Sequence, residues 1–339
     1  MERESRIAPY VAGESRYDAM QYRRVGKSGL KMSAVSLGLW HNFGGYDSYE
    51  TCRAVVRRAF DLGITVFDLA NNYGPPAGSA EETFGRLMRE DMRPYRDEMI
   101  VTTKAGYGMW PGPYGDHGSR KYLLASLDQS LRRMGLDYVD IFYHHRMDPE
   151  TPLEETMGAL AAAVHSGKAL YVGISNYGPA EAERAAKLLD SMGVHCLICQ
   201  SRYNLLDRAV ERDGLFRAAE ANGFGMTAYS PLAQGSLTGK YNHGIPEGSR
   251  ASGKSAFFTP RSITPAMVEQ VTRLEAVAER RGQTVTQLAL SWVLREKSMA
   301  SVLIGASRPE QLDEDVKCLG NTSFSAEEER EIDSIVGAV

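Results

Sequence analysis

From about residue 34 onward, short apolar runs alternate with longer amphipathic stretches, and the alternation completes eight rounds. The apolar runs lie at 34–37, 64–67, 99–102, 138–142, 169–174, 195–199, 225–229 and 301–304. Each is a continuous apolar block, as expected of strands buried on both faces of a parallel sheet. The stretches between them carry helix starts and stops. One helix is predicted from Asp47, with Glu50 three residues on, to Gly63. A second begins at Ser79 with Glu82 at capping-box spacing. A third opens near Ser119, sets Leu124, Leu127, Leu131 and Met134 on one face, and stops at Gly135. Later ones stop near Gly167, Gly193 and Gly223, where glycine takes a left-handed cap at little cost. Eight strand–helix units in series predict an α/β fold, a (β/α)8 TIM barrel. The competing doubly wound sheet calls for G-x-G-x-x-G after its first strand. Ser36-Leu37-Gly38-Leu39-Trp40 does not provide it.

Residues 22–25 and 31–33 flank Gly26-Lys27-Ser28-Gly29, which predicts an N-terminal β-hairpin under the barrel. Gly26-Lys27-Ser28 does not complete a phosphate-binding G-x-x-x-x-G-K-[ST] loop. Residues 1–20 are charged throughout and lack the apolar core of a secretory signal. They read as a tail that docks on the body or on a neighbouring subunit, with 21–339 forming a single barrel domain. Three insertions stand out as extended loops at the C-terminal face, where functional lids sit. They are 106–118 with Tyr107, Trp110 and Tyr114, then 233–262 with Lys240, Arg250, Lys254 and Arg261, and a capped helix after Ser325. A net charge of −4 predicts no general affinity for nucleic acid or anionic membrane. No stretch reaches the roughly 20 apolar residues needed to span a bilayer. Four cysteines form no disulfide framework, which points to a reducing, cytoplasmic setting. Cys196 and Cys199 form a C-x-x-C, but on a strand they face opposite sides, and no second pair completes a metal site.

Three consecutive apolar runs end in ionisable groups: Asp68, Lys104 and His145. In a barrel built in sequence order these ends converge at one mouth. An unpaired charge there is costly to desolvate, so Asp68 and Lys104 are expected to pair. Tyr73 lies five residues beyond Asp68, in an active-site-like loop. Alternation along the strand favours His145 over His144 as the group facing that mouth.

Several separate motifs resemble the aldo-keto reductase family. They are Phe67-Asp68-Leu69-Ala70-Asn71-Asn72-Tyr73-Gly74, Ser79-Ala80-Glu81-Glu82 with Gly85, Thr103-Lys104, and Asp140-Ile141-Phe142-Tyr143-His144-His145. Gly173-Ile174-Ser175-Asn176, Tyr229-Ser230-Pro231-Leu232 and Gly305-Ala306-Ser307-Arg308-Pro309-Glu310-Gln311-Leu312 continue the match over nearly the whole chain beyond residue 20. Ser36-Leu37-Gly38-Leu39-Trp40-His41-Asn42-Phe43-Gly44 and Met109-Trp110-Pro111-Gly112-Pro113-Tyr114-Gly115 are similar to the L-glyceraldehyde 3-phosphate reductase branch, a neighbour of the potassium-channel β-subunits.

The resemblance implies NADPH-dependent reduction of small aldehydes, by a tetrad of Asp68, Tyr73, Lys104 and His145. A free tyrosine titrates near 10, so a tyrosine that donates a proton at neutral pH needs an adjacent cation to stabilise its phenolate. Lys104 would supply the cation, Asp68 would hold it, and His145 would orient the carbonyl oxygen. The resemblance places NADPH or NADP+ against Trp40, Asp68, Ser175, Asn176, Gln200 and Tyr229, then along Ser230, Leu232, Gly235 and Leu237. Lys240, Arg250, Gly305, Ser307, Arg308, Gln311, Glu314 and Asp315 would meet the adenosine end. Clustered basic residues around a 2′-phosphate favour NADPH over NADH. The family commonly has Asn where this chain has Asp315, and its Gln-Pro-x-Tyr-Asn reads Gln200-Ser201-Arg202-Tyr203-Asn204 here. Trp40, His41, Tyr73, Trp110, His145 and Arg146 would line the substrate pocket, with Tyr107 and Tyr114 beside them. Short phosphorylated or dicarbonyl aldehydes, including L-glyceraldehyde 3-phosphate and methylglyoxal-like compounds, are the implied substrates. A homo-oligomer, tetramer or octamer, is the implied assembly. The alternative reading is an NADPH-binding regulatory subunit resembling the channel β-subunits, which carry Asn at the position of His145. A non-redox barrel enzyme such as a sugar-phosphate isomerase is a more distant reading.

Overall fold

The computed structural model describes residues 9–253 and 258–337, so the first eight residues of the tail and Lys254 lie outside it. A two-stranded antiparallel sheet, β1 (Tyr22–Arg24) and β2 (Lys31–Ser33), pairs Tyr22 with Ser33. The parallel strands follow as β3 (Val35–Gly38), β4 (Val66–Asp68), β5 (Ile100–Ala105), β6 (Val139–His144), β7 (Ala169–Ser175), β8 (Cys196–Arg202), β9 (Gly225–Tyr229) and β10 (Met299–Ile304). They close into one barrel in the order β10-β3-β4-β5-β6-β7-β8-β9. The eight apolar runs are thus the eight barrel strands, with ends shifted by a few residues. The continuous apolar character has the expected cause: β4, β5 and β6 are buried at every position.

Contacts divide the chain into two compact sets. The first holds the segment ending at Met20 together with Leu37–Val172 and Gly305–Leu312. Here β4 pairs with β5 so that Asp68 faces Thr102, and β5 pairs with β6 so that Lys104 faces Tyr143. The tail residues are fastened within this set. The Tyr10 hydroxyl donates to Asp61 (2.6 Å), and the Ala12 and Gly13 amides bond Tyr95 and Asp61. Asp91 is buried under Arg53 and Arg57, each at 2.7 Å or less. Burial alone pushes its carboxyl up, but the two guanidiniums outweigh this and bring it from 3.8 down to about 2. That shift corresponds to roughly 2 kcal/mol of stability, present above the unfolded-state pKa and lost as pH falls through the folded one.

The second set holds Gln21–Ser36, Gly173–Ile304 and the segment from Asp313 onward. One of its apolar clusters gathers Leu237, Val271, Leu274, Leu288, Trp292 and Ile332. These come from the 233–262 loop, from helices Pro265–Arg280 and Val285–Leu294, and from the last helix Ala326–Val336. Ser325 caps that last helix in a capping box with Glu328, as its sequence implied.

Two helix starts differ from the sequence reading. Helix Tyr49–Asp61 is capped by Ser48, while Asp47 accepts instead from the Gly44 amide at 2.7 Å. Ser79 is the first residue of helix Ser79–Leu87, not its cap. Its hydroxyl donates to the Pro76 carbonyl (2.6 Å) and accepts from the Gly45 amide (2.9 Å). The capping-box spacing was matched there, but the hydroxyl is taken by two neighbouring loops. On helix Arg120–Met134 the buried stripe runs through Leu123, not Leu124, with Leu127, Leu131 and Met134.

Candidate active site

The barrel delivers three side chains from adjacent strands. Asp68 is the last residue of β4, Lys104 lies near the end of β5, and His145 follows β6 directly. Lys104 is fully buried and donates to Asp68 Oδ2 at 2.5 Å and to the Leu69 carbonyl at 2.7 Å. The other Asp68 oxygen accepts from the Thr102 hydroxyl at 2.7 Å. Burial pulls the ammonium down from its ordinary value, and the Asp68 carboxylate opposes that pull. The pair is therefore the expected one, and its geometry is good enough to offset much of the desolvation cost.

The Tyr73 ring is half-buried, with the Lys104 ammonium 5.2 Å from its centroid. The His145 ring stands edge-on to it at 5.9 Å, and Trp40 lies 6.2 Å away on a tilted plane. His41 packs on Trp40 at 4.2 Å. Burial, and next the Lys104 charge, hold the His145 imidazole well below 6.5, so it is neutral at pH 7. His144 is also buried and sits at about 4, chiefly through burial. All four members of the expected tetrad, with Trp40 and His41, therefore meet in the first contact set.

A layer of support beneath these residues was not read from the sequence. Glu81 is fully buried, accepts from the Thr103 hydroxyl at 2.5 Å, and pairs with Arg133 at 2.7 Å. Its charge also favours the Lys104 ammonium. The signal was present: a carboxylate on the apolar stripe of Ala80, Phe84 and Leu87 needs a partner. Asn71 donates to the Tyr122 hydroxyl (2.9 Å) and Ser126, and Tyr122 donates to the Tyr107 carbonyl. The Tyr107 ring then stands perpendicular to His145 at 4.7 Å. Gly106 closes the arrangement. A methyl group there would meet the His145 Cβ at 3.0 Å and the Arg146 amide nitrogen at 3.2 Å. Gly106→Ala is expected to lower turnover by about tenfold or more by displacing His145, and to lower thermal stability as well because φ at 106 is +154°. Steady-state kinetics beside a melting curve checks this.

The chain's sequence matches the aldo/keto reductase family over residues 34–336. It belongs to the aldo/keto reductase family. Two similar proteins, each named L-glyceraldehyde 3-phosphate reductase, come from Escherichia coli O157:H7 and Escherichia coli strain K12. Each is 58% identical, covering 96% of this chain and 94% of the relative. A putative voltage-gated potassium channel subunit beta of Schizosaccharomyces pombe is 38% identical over 88% of each chain. This aldo/keto reductase is thus an oxidoreductase, of a family whose members generally use a nicotinamide dinucleotide.

The residues expected at that dinucleotide fall in both sets. In the second set, Tyr229 at the end of β9 donates to Asn176 Oδ1 at 2.7 Å, and the Asn176 amide bonds the Gln200 carbonyl at 3.1 Å. Ser175 and Gln200 are buried at their strand ends. Past β9 the backbone takes positive φ at Ser230 (53°), Ala233 (48°), Gln234 (60°) and Gly235 (98°). Such turns gather N–H groups into anion-binding concavities, and left-handed non-glycine residues are costly enough to cluster at functional sites. Arg250 is fixed here by Gln234 at 2.5 Å. The Lys240 ammonium reaches the Gly235 backbone so closely that a side chain at 235 would collide with it. These features fit a pyrophosphate. Leu237, by contrast, puts its side chain into the apolar cluster and its amide on the Leu232 carbonyl. Glu314 is engaged by Lys317 (2.6 Å) and Gln287. Asp315 is buried, and burial lifts its carboxyl to about 7. In the first set, Gly305 precedes exposed Ser307 and Arg308. There Gln311 folds back to accept from both their amides, at 2.8 and 3.3 Å. Cys196 and Cys199 are buried in β8 with both thiols pushed up by burial. Among the described residues no helix is long and apolar enough to cross a membrane.

Proposed function

We propose that this chain reduces small aldehydes to alcohols with NADPH, with Tyr73 as the proton donor. The observation that carries the reading is the buried Asp68–Lys104 pair under the Tyr73 ring, beside a neutral His145. When bound, the nicotinamide would supply a hydride to the carbonyl carbon. The alkoxide that results takes a proton from the Tyr73 hydroxyl, and the Lys104 ammonium stabilises the phenolate left behind. A neutral imidazole at His145 donates a hydrogen bond to the carbonyl oxygen without competing as an acid. Trp40 and His41 wall the aldehyde in and exclude water.

Ser175, Asn176, Gln200 and Tyr229 would hold the nicotinamide end, and the turns at 230–235 the pyrophosphate. Lys240, Arg250 and Arg308 would meet the 2′-phosphate, which is the basis for preferring NADPH. The name of the 58%-identical relatives supports L-glyceraldehyde 3-phosphate as substrate. Methylglyoxal-like aldehydes are the second class. A cytoplasmic homo-oligomer completes the reading. The second reading, a regulatory β-subunit, draws on the 38%- and 36%-identical relatives. A neutral histidine at the tetrad position favours catalysis over that role. The deciding assay follows nicotinamide absorbance with NADPH and NADH against L-glyceraldehyde 3-phosphate, methylglyoxal and nitrobenzaldehyde. Oxidation faster with NADPH, and fastest on the phosphorylated aldehyde, is the expected result. No oxidation of either cofactor by any of the three would overturn it.

A further inference from the structure

We propose that Arg146 is the substrate-phosphate receptor of this site, and that Asp116 is a built-in competitor which the phosphate displaces. The inference rests on the aldehyde-reductase reading above and adds how the substrate's charge is recognised. Arg146 follows His145 directly. Its Nε donates to the Gly106 carbonyl at 2.8 Å and its Nη2 to Asp116 Oδ1 at 2.8 Å. The guanidinium lies 4.4 Å over the Tyr107 ring, and that ring stands against His145 at 4.7 Å. The cation is thus stacked on one face, and its Nε–Nη2 edge is held by a fixed carbonyl and an exchangeable carboxylate. It is only one aromatic ring away from the imidazole that orients the carbonyl. A three-carbon phosphate ester has the length to reach from one to the other.

The partner makes exchange possible. The Arg146 and Asp116 side chains are 31% and 37% exposed. Ion pairs at that exposure contribute little, whereas a phosphate dianion offers an arginine fork two strong, charge-assisted bonds. Asp116 lies in the 106–118 loop, so its release from Arg146 also frees that loop to settle over a bound substrate. An uncharged aldehyde leaves the pair closed. The arrangement predicts selection for anionic aldehydes at the rim, separate from the chemistry at the tetrad.

The test uses three variants of the full chain: Arg146→Met, Arg146→Lys and Asp116→Asn. The first readout is the ratio of kcat/KM for glyceraldehyde 3-phosphate to that for glyceraldehyde. Arg146→Met should lower the ratio at least tenfold, Arg146→Lys should recover part of it, and Asp116→Asn should raise it several-fold. The second readout is calorimetric titration with glycerol 3-phosphate, the alcohol product, which needs no turnover. Binding should be lost in Arg146→Met and strengthened in Asp116→Asn. Equal losses on both aldehydes, or titration curves unchanged by either substitution, would make the pair a structural latch and sink the proposal. A wild-type chain that reduces no aldehyde yet binds glycerol 3-phosphate through Arg146 would overturn the reductase reading and leave the phosphate site standing.

Discussion

Tyr73→Phe should abolish aldehyde reduction by at least three orders of magnitude while leaving NADPH binding intact. The substitution removes one oxygen and keeps the ring, so its packing near Trp40 and His145 survives. What is lost is the donor that neutralises the alkoxide. A positioned acid contributes about 10²–10⁴ in rate, and here that loss is compounded by leaving the oxyanion without its hydrogen bond. Cofactor fluorescence titration of the variant separates binding from chemistry. Full turnover by the phenylalanine variant would show that some other group supplies the proton.

Lys104→Met should cost both activity and stability, and a second substitution should restore only one of them. Removing the ammonium strands the Asp68 carboxylate, which is 2% exposed. Breaking a buried pair by deleting one partner costs about 3–5 kcal/mol. Glu81 is buried nearby and loses a favourable charge in the same step. Adding Asp68→Asn removes the stranded charge and keeps the acceptor that Thr102 uses, so most of the stability should return. Activity should not, because the phenolate of Tyr73 still has no cation beside it. Denaturant melts and single-turnover rates on the single and double variants give the two answers. Equal rescue of both would mean that Lys104 matters for folding alone.

The barrel was legible because its strands carry a signal that local chemistry produces directly: buried on both faces, they read as unbroken apolar blocks. The convergence of Asp68, Lys104 and His145 was legible for a related reason. A charged residue closing an apolar strand must find a counter-charge, and strand order says where. Glu81 escaped because its one cue, a carboxylate on the apolar stripe of helix Ser79–Leu87, does not say that Thr103 and Arg133 are its partners. Ser79 misled because its spacing to Glu82 suits a capping box. Its hydroxyl instead bonds Pro76 and Gly45, partners that come only with the folded loops. Gln311 accepts from the Ser307 amide through a side-chain reach that spacing does not encode. The contacts of Tyr107 and Asp116 with His145 and Arg146 depend on how a loop rich in glycine folds, and no periodicity records that.

Both histidines that end the β6 segment remain neutral because burial strips them of their charge, one at about 4 and the other well below 6.5. The charge of the catalytic floor therefore rests on the paired Lys104 ammonium and Asp68 carboxylate, with uncharged imidazoles beside them. A pair that balances its own charge gives an anionic aldehyde little net attraction over a neutral one. Discrimination by charge must then be exercised at the entrance. On the proposed reading, reaction centre and selectivity filter are separable parts, and Arg146 and Asp116 can be altered without retuning Tyr73.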